Sequence, residues 1–320
     1  MAGYLIYLFL GSFLGLSGLI YANLLMIQLL GLRFGWNDEQ MENLMLAMLV
    51  LSLSFLWYSI SLSFTLYNKW ILQEWHSGFQ FPILITTVHM IMKYIITRLW
   101  VLTPDAEEVV PTSWKVHSSI VIPIGLCTSA DIVFSNIAIS YLPLSMYTTI
   151  KGSTVVFTFL LGVFCKVEHF KWTLLLAVLS IVGGLGLAIF NTGDQLSGYG
   201  LICVLLSSLC SAIRWVLMQV LAVQDEHSSS VMVTLYRFSP YSMLSIIPFA
   251  LFIEAPLLLK SNFDTASLLL QALVYSALGG LVSFFLLIAE VKLLRVTSSL
   301  TMCVIGQVSS FELLQICFHY

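Results

Sequence analysis

Long apolar segments joined by short polar connections make up nearly the whole chain. A membrane-spanning helix needs about 20 predominantly apolar residues, and ten segments reach that length. They are residues 4–31, 43–66, 81–102, 117–139, 141–164, 172–191, 199–223, 230–253, 268–289 and 297–319. Their apolar runs are continuous and do not alternate with polar residues, a pattern that favours helices over a membrane β-barrel. We therefore expect an all-α polytopic membrane protein.

Composition supports this class and argues against an enzyme. Of the 320 residues, 59% are hydrophobic and 9% are charged, whereas a soluble domain is about one quarter charged. The six cysteines have no metal-ligand or paired spacing and are expected to be small core residues. No phosphate-binding loop, histidine pair or second intramembrane aspartate is present. We expect no metal, no cofactor, no nucleic-acid partner and no catalytic site.

The loops carry an uneven distribution of basic residues, which predicts the orientation in the membrane. One side would hold six of them: Arg33, Lys115, Lys166, Lys171, Lys292 and Arg295. The other side would hold only Lys69 and Lys260. By the positive-inside rule the first side is cytoplasmic. Paired glycines at 183–184 and 279–280 predict places where helices pack closely.

Lys151 is the most informative single residue, because it lies near the middle of the otherwise uncharged segment 141–164. An ionised ammonium near the bilayer centre costs about 3 kcal/mol on insertion scales. Such a group faces protein or water, and it usually marks a substrate or ion path.

Further ionisable residues lie within the predicted membrane segments. They are Lys93, Arg98, Asp131, Arg214 and Arg237. Together with Lys151 they comprise five cations and one carboxylate, and we expect Asp131 to pair with one of the cations. Several cations around one cavity repel each other unless an anion enters, so the surplus indicates an organic anion such as a phosphate.

Six motifs carry a resemblance to a known family. They are Tyr67–Trp70 with Phe81–Pro82, Asp131–Asn136, Leu144–Ser153, Phe164–Glu168, Arg214–Trp215 with Gln219, and Thr297–Thr301. In this order and spacing, residues 41–305 resemble the nucleotide-sugar and triose-phosphate translocator family, solute carrier family 35, of the drug/metabolite transporter superfamily. The branch that contains the GDP-fucose transporter is the most similar.

The resemblance implies the drug/metabolite transporter fold, with two inverted five-helix repeats around a central cavity. The first repeat would comprise residues 41–195 and the second residues 196–320, with residues 1–40 as an extra N-terminal hydrophobic segment. The chain departs from the family pattern after about residue 306. The family's Lys-Glu pair would fall at Ser309 and Ser310, so the second repeat is expected to be incomplete.

The resemblance also implies an antiporter in Golgi or ER–Golgi membranes, which exchanges a nucleotide sugar for a nucleotide monophosphate. Lys151 matches the family's phosphate-binding lysine. Lys93 and Arg214 would be supporting charges, Asp131 would lie in the same site, and Tyr147 would face the cavity one turn before Lys151. Family members often form homodimers, which is a further expectation.

The sequence also fits three other functions. The missing ninth-segment lysine favours a non-transporting regulator or partner of a Golgi nucleotide-sugar transporter. A plastid-type carrier of phosphorylated sugars would use Lys151 in the same way. An enzyme acting on a phospholipid would fit an anionic ligand, but the chain lacks an acid–base pair.

Overall fold

A computed structural model describes residues 37–104, 106, 109, 113–191, 197–224, 230–261 and 266–306, and all regular structure within these ranges is helical. Seven described helices are long and apolar enough to cross a membrane, which confirms the all-α polytopic class. The predicted segment 4–31, most of segment 297–319, and the positions Ser309 and Ser310 lie outside the described residues.

The helices are numbered in chain order. They are α1 Asp38–Lys69, α2 Pro82–Val101, α3 Trp114–Tyr141, α4 Leu144–Lys151, α5 Thr154–Phe164, α6 Trp172–Asn191, α7 Gly198–Gln224, α8 Val231–Leu258, α9 Ala266–Val296 and, within the described range, α10 at 299–306. A π-helical turn at Trp70–Glu74 extends α1, and similar turns interrupt α3 at His117–Val121 and α8 at Ala250–Glu254.

Helix α1 begins and ends at defined signals. Asn37 caps it, because its side-chain oxygen accepts a hydrogen bond from Gln40 N at 3.0 Å while the Gln40 side chain accepts one from Asn37 N. At about 1.5 Å per residue its 32 residues extend for about 48 Å, more than the roughly 30 Å of a hydrocarbon core. The turn that follows contains Gly78 at φ +95°, a conformation open to glycine.

The predicted segment 141–164 forms one membrane span at Met146–Phe164, and a tightened turn divides this span into α4 and α5. At Gly152 and Ser153 the hydrogen bonds tighten, and Ser153 N donates to Ile150 O at 2.9 Å. The Lys151 carbonyl instead accepts from Thr154 Oγ1 at 2.7 Å. The segment is therefore split into α4 and α5, and Lys151 is placed at the C-terminal end of α4. A cation is favourable there, because the helix dipole is negative at that end.

The contacts between helices occur in corresponding pairs. Helix α3 packs on α7, and the corresponding contact is that of α9 on α1. Helix α2 packs on α9, and the corresponding contact is that of α8 on α3. Helices α2 and α8 contact each other directly. In the same way α5 packs on α7, while Tyr58 of α1 donates a hydrogen bond to Ile305 O of α10 at 2.6 Å. The helix contacts in the described part of the chain therefore stay the same when α1, α2 and α3 are exchanged with α7, α8 and α9.

The two glycine pairs that predicted close packing have different outcomes. Gly279 and Gly280 of α9 confirm the prediction, because a Cβ atom at Gly279 would lie 2.8 Å from His89 Nε2 and one at Gly280 would lie 2.9 Å from Met92 Cβ. Gly183 and Gly184 of α6 have no described atom within 4 Å of an added Cβ, so close packing there stays a prediction.

A third close approach joins α3 and α8. A Cβ atom on Gly125 would lie 2.5 Å from Tyr241 Cβ and 2.8 Å from Ser242 N. Nearby, the hydroxyl groups of Ser129 and Ser245 share a hydrogen bond of 2.6 Å. Small residues that let backbones approach, together with hydroxyl groups that bridge them, are typical of helix contacts in membranes.

We predict that Gly125→Ala lowers the melting temperature of the purified protein, because the added methyl group meets backbone atoms of α8. Overpacking of this kind costs about 1–3 kcal/mol. The matched variant is Gly183→Ala, which meets no described atom and favours the helix by about 1 kcal/mol. Thermal unfolding in detergent compares the two, and equal melting temperatures would contradict the close α3–α8 packing.

Candidate functional site

Asp131 and Lys151 form an ion pair between α3 and α4. Lys151 Nζ lies 2.5 Å from Asp131 Oδ1, and each side chain is 18% exposed. The expected pairing of Asp131 with an intramembrane cation is therefore confirmed, and its partner is Lys151. Breaking a pair this well buried by removing one partner typically costs about 3–5 kcal/mol, because the other charge is left uncompensated.

Hydroxyl groups from two helices surround this ion pair. Ser207 donates to Asp131 Oδ1 and Ser211 to Asp131 Oδ2, both at 2.6 Å, and Ser207 also accepts a hydrogen bond from Lys151 Nζ. The hydroxyl groups of Ser135 and Ser207 lie 2.7 Å apart. Asp131 thus has partners on both carboxylate oxygens, as a buried charge requires.

Tyr147 joins the same cluster through a serine. Its hydroxyl group donates to Ser135 Oγ at 2.9 Å, and Ser135 Oγ is 3.4 Å from Lys151 Nζ. Since Tyr147 lies one helical turn before Lys151, both side chains project from the same face of α4. Tyr147 therefore supports the position of Lys151 indirectly.

A second ion pair links α7 to α9. Arg214 Nη1 lies 2.6 Å from Glu290 Oε1, which also accepts a hydrogen bond from Trp215 Nε1 at 2.7 Å. The expectation of a single intramembrane carboxylate is wrong, because Glu290 lies within α9. Glu254 is also buried near the end of α8, where it accepts hydrogen bonds from the first backbone amides of α2.

Helix α7 carries partners for both ion pairs on one side. Ser207, Ser211, Arg214 and Trp215 follow each other at spacings of four, three and one residues, so they lie along a single helical face. The first two bind Asp131 and the last two bind Glu290. Helix α7 therefore sets the distance between the two carboxylates.

A cavity of about 290 Å³ lies between these helices, and we call it the central cavity. Its charged lining residues are Lys93, Asp131, Arg214 and Glu290. Its remaining lining residues are Thr128, Ser239, Ser242 and Ser283, which carry hydroxyl groups, and the apolar Phe64, Met90, Ile132, Phe238, Leu286 and Leu287. Such a mixture of apolar walls with a few convergent polar groups is typical of small-molecule sites.

Lys93 is the cation in this cavity that lacks a close counterion. No described carboxylate lies within 4 Å of its ammonium group, although it interacts at longer range with Glu290 and Arg214. With Lys151 behind Asp131, the site contains three basic side chains and two carboxylates. The site is therefore electropositive by one charge and suits an anion.

A second cavity of about 220 Å³ adjoins the first, and we call it the side cavity. Its polar lining residues are Asn68, Thr86, Asp131, Ser135 and Asn136, and its apolar ones are Leu72, Pro82, Ile85 and Ile132. Asp131 and Ile132 line both cavities. The two spaces therefore meet at the ion-paired carboxylate.

The structure divides the five predicted site residues into two groups. Lys93, Arg214 and Asp131 line the central cavity, whereas Lys151 and Tyr147 line neither cavity and lie behind Asp131. Of the other predicted intramembrane cations, Arg98 places its guanidinium 3.9 Å from the centre of the Tyr236 ring, and Arg237 is buried in α8.

Sequence reasoning missed Ser207, Ser211, Ser135 and Glu290. Ser207 and Ser211 precede Arg214 at helical spacing, and that polar face within an apolar segment was a usable signal. Glu290 was missed because the predicted segment ended at residue 289, whereas α9 continues to Val296.

The described helices define a polytopic membrane protein, and its central cavity is electropositive. The sequence model of the Triose-phosphate Transporter family matches residues 48–310. The chain belongs to this family.

The similar proteins fall into two groups by the substrates in their names, nucleotide sugars and sugar phosphates. "Putative nucleotide-sugar transporter YMD8" of Saccharomyces cerevisiae is 29% identical over 53% of this chain. A probable sugar phosphate/phosphate translocator of Arabidopsis thaliana is 30% identical over 83% of the chain and 75% of its own length. UDP-galactose transporter 1 of Arabidopsis thaliana is 25% identical over 78% of the chain and 73% of its own length. The chain spans 42% of the length of the yeast relative.

We predict that a neutral replacement of the Asp131–Lys151 pair restores folding but not ligand binding. Lys151→Met alone leaves Asp131 uncompensated and should lower the melting temperature sharply. Adding Asp131→Asn removes the stranded charge, and neutral replacements of buried pairs are often harmless to stability. The double variant should therefore melt near the unsubstituted protein while failing to take up anionic substrate.

The measurements are thermal unfolding in detergent and substrate uptake into proteoliposomes, made on both variants and on Asp131→Asn alone. Recovery of stability and uptake together in the double variant would mean that the Lys151 charge serves only to neutralise Asp131.

Proposed function

We propose that the protein exchanges a nucleotide sugar of the GDP-fucose type, or a related phosphorylated sugar, for a nucleotide monophosphate or phosphate. Lys93, Arg214, Asp131, Lys151 and Tyr147 form its substrate site. Membership of the family supports a carrier of phosphorylated solutes, and the names of the relatives cover nucleotide sugars and sugar phosphates.

The observation that carries this proposal is the position of Lys93 in the central cavity. An ammonium group without a close counterion among hydroxyl groups and apolar walls is costly inside a membrane. A phosphate oxygen would remove that cost through a charge-assisted hydrogen bond. Phe64 and Phe238 in the same wall provide apolar surface for the rest of a ligand.

Lys151 takes part through Asp131. Asp131 Oδ1 lies 2.5 Å from the ammonium group of Lys151, and Asp131 is the member of the pair that faces the cavity. A phosphate that enters next to Lys93 competes with this carboxylate for Lys151. Substrate binding would then give Lys151 a second anionic partner, while Ser207 and Ser211 keep their hydrogen bonds to Asp131.

The corresponding packing of α1–α3 and α7–α9 supports two inverted repeats, at about residues 41–195 and 196–320. Alternating access around a site between such repeats suits an exchanger. The distribution of loop lysines and arginines places the start of α1 in the cytoplasm. Golgi or ER–Golgi membranes and a homodimer complete the proposal, both on the resemblance to the nucleotide-sugar branch.

We predict that Lys93→Met lowers uptake about tenfold or more, because loss of a hydrogen bond to a charged group removes about 1.5–3 kcal/mol and about 1.4 kcal/mol is a factor of ten. The measurement is uptake of labelled GDP-fucose or UDP-galactose into proteoliposomes loaded with GMP or UMP. A sugar phosphate with internal phosphate is tested in parallel.

The matched control is Lys171→Met, which removes an exposed lysine outside both cavities and should leave uptake unchanged. Lys93→Arg retains the charge and should retain part of the uptake. Liposomes without internal nucleotide test exchange, since an antiporter takes up little into empty vesicles. Absence of uptake by the unsubstituted protein with every substrate would reject the carrier and favour a regulatory partner.

A further inference from the structure

We propose that the side cavity is a subsite without basic residues that binds the hydroxyl groups of the substrate's sugar, with Asn68 and Asn136 as its specificity-determining residues. This inference rests on the proposed function, because it assigns one part of a phosphorylated sugar or nucleotide sugar to a second space beside the central cavity.

The amide groups of Asn68 and Asn136 are the first observation. Both residues line the side cavity, and no described residue forms a hydrogen bond with either side-chain amide. The Oδ1 atom of Asn68 is buried without a partner in the described structure. Each amide offers two donors and one acceptor, which matches a hydroxyl group that both donates and accepts.

The charge of the side cavity is the second observation. No lysine or arginine is among its described lining residues, whereas Asp131 is. A phosphate would meet a carboxylate there without a compensating cation, so the phosphate belongs beside Lys93 in the central cavity. Hydroxyl groups can donate to the same carboxylate, and they leave no charge to be compensated.

The size and position of the two cavities are the third observation. The central cavity measures about 290 Å³ and the side cavity about 220 Å³, and each alone is below the roughly 300 Å³ at which small-molecule pockets begin. Together they fall within that range, and they share Asp131 and Ile132. One elongated ligand can therefore hold its phosphate in one space and its sugar in the other.

The positions of the aromatic residues indicate which part of such a ligand each cavity binds. Phe64 and Phe238 line the central cavity, and no aromatic residue lines the described side cavity. A nucleoside base gains from stacking on an aromatic face, whereas a sugar gains from hydrogen bonds. The base and phosphate are thus assigned to the central cavity and the sugar to the side cavity.

The test compares ligands with and without the sugar, and because UDP and GDP carry one more negative charge than their sugar conjugates, each affinity ratio is compared with that of the unsubstituted protein. UDP-galactose and UDP, and likewise GDP-fucose and GDP, are titrated against the purified protein, and the ratio of their affinities is measured. Asn136→Leu and Asn68→Leu remove the amide groups at similar volume. Each should weaken binding of the nucleotide sugar about tenfold, by loss of hydrogen bonds to the sugar, and change binding of UDP or GDP less than about twofold.

The control is Thr65→Val on the same helix as Asn68. Its hydroxyl group donates to Ser61 O within α1 at 2.9 Å, and Thr65 lines neither cavity, so both affinities should stay unchanged. Retained binding of UDP or GDP by the asparagine variants shows that they are folded.

Two outcomes would overturn the subsite. They are equal weakening of both ligands in both asparagine variants and no weakening of either ligand. Both leave the carrier proposal intact, since the unsubstituted protein still binds phosphorylated ligands. Failure of the unsubstituted protein to bind any phosphorylated ligand instead overturns the carrier proposal and the subsite together.

Discussion

A charge inside a bilayer has to be paired or hydrated, and the Asp131–Lys151 ion pair satisfies this requirement for two helices at once. Lys151 lies in the last turn of α4, and its ammonium group lies 2.5 Å from Asp131 Oδ1 of α3. The hydroxyl groups of Ser207 and Ser211 then bring α7 against the same carboxylate. The arrangement of α3, α4 and α7 therefore depends on one pair of opposite charges, and removal of either partner affects all three helices.

Helix α7 extends this dependence across the molecule. One turn beyond Ser211, Arg214 and Trp215 bind Glu290 of α9, so a displacement of α7 would change the contacts of both carboxylates. Lys93 lines the central cavity from α2, and no described carboxylate lies within 4 Å of its ammonium group. Each ion pair lies within one half of the described fold, and the hydrogen bonds of Ser207 and Ser211 to Asp131 join the two halves. A phosphate bound beside Lys93, as proposed, would lie near both pairs.

Much of the fold could be predicted from hydropathy, because about 20 apolar residues are an unambiguous signal in a chain with so few charges. Lys151 and Asp131 were identified for the same reason, since ionisable residues are rare in membrane helices. Their pairing could not be derived, because it depends on how α3 packs against α4. The tightened turn after Lys151 could not be predicted, because the hydropathy is continuous across Gly152. Ser207 and Ser211 carry no charge, so only their spacing before Arg214 could have indicated them.

The position of Asp131 at the junction of the two cavities has a consequence for how a substrate would be distinguished from a plain anion. Inorganic phosphate could satisfy Lys93 alone, and it would leave Asp131 on Lys151. A sugar that donates hydroxyl hydrogens to Asp131 weakens the attraction of that carboxylate for Lys151, because its charge is then shared among more donors. The phosphate of the same ligand could then reach Lys151 more easily. A ligand that fills both cavities would therefore release the α3–α4 ion pair more effectively than either of its parts.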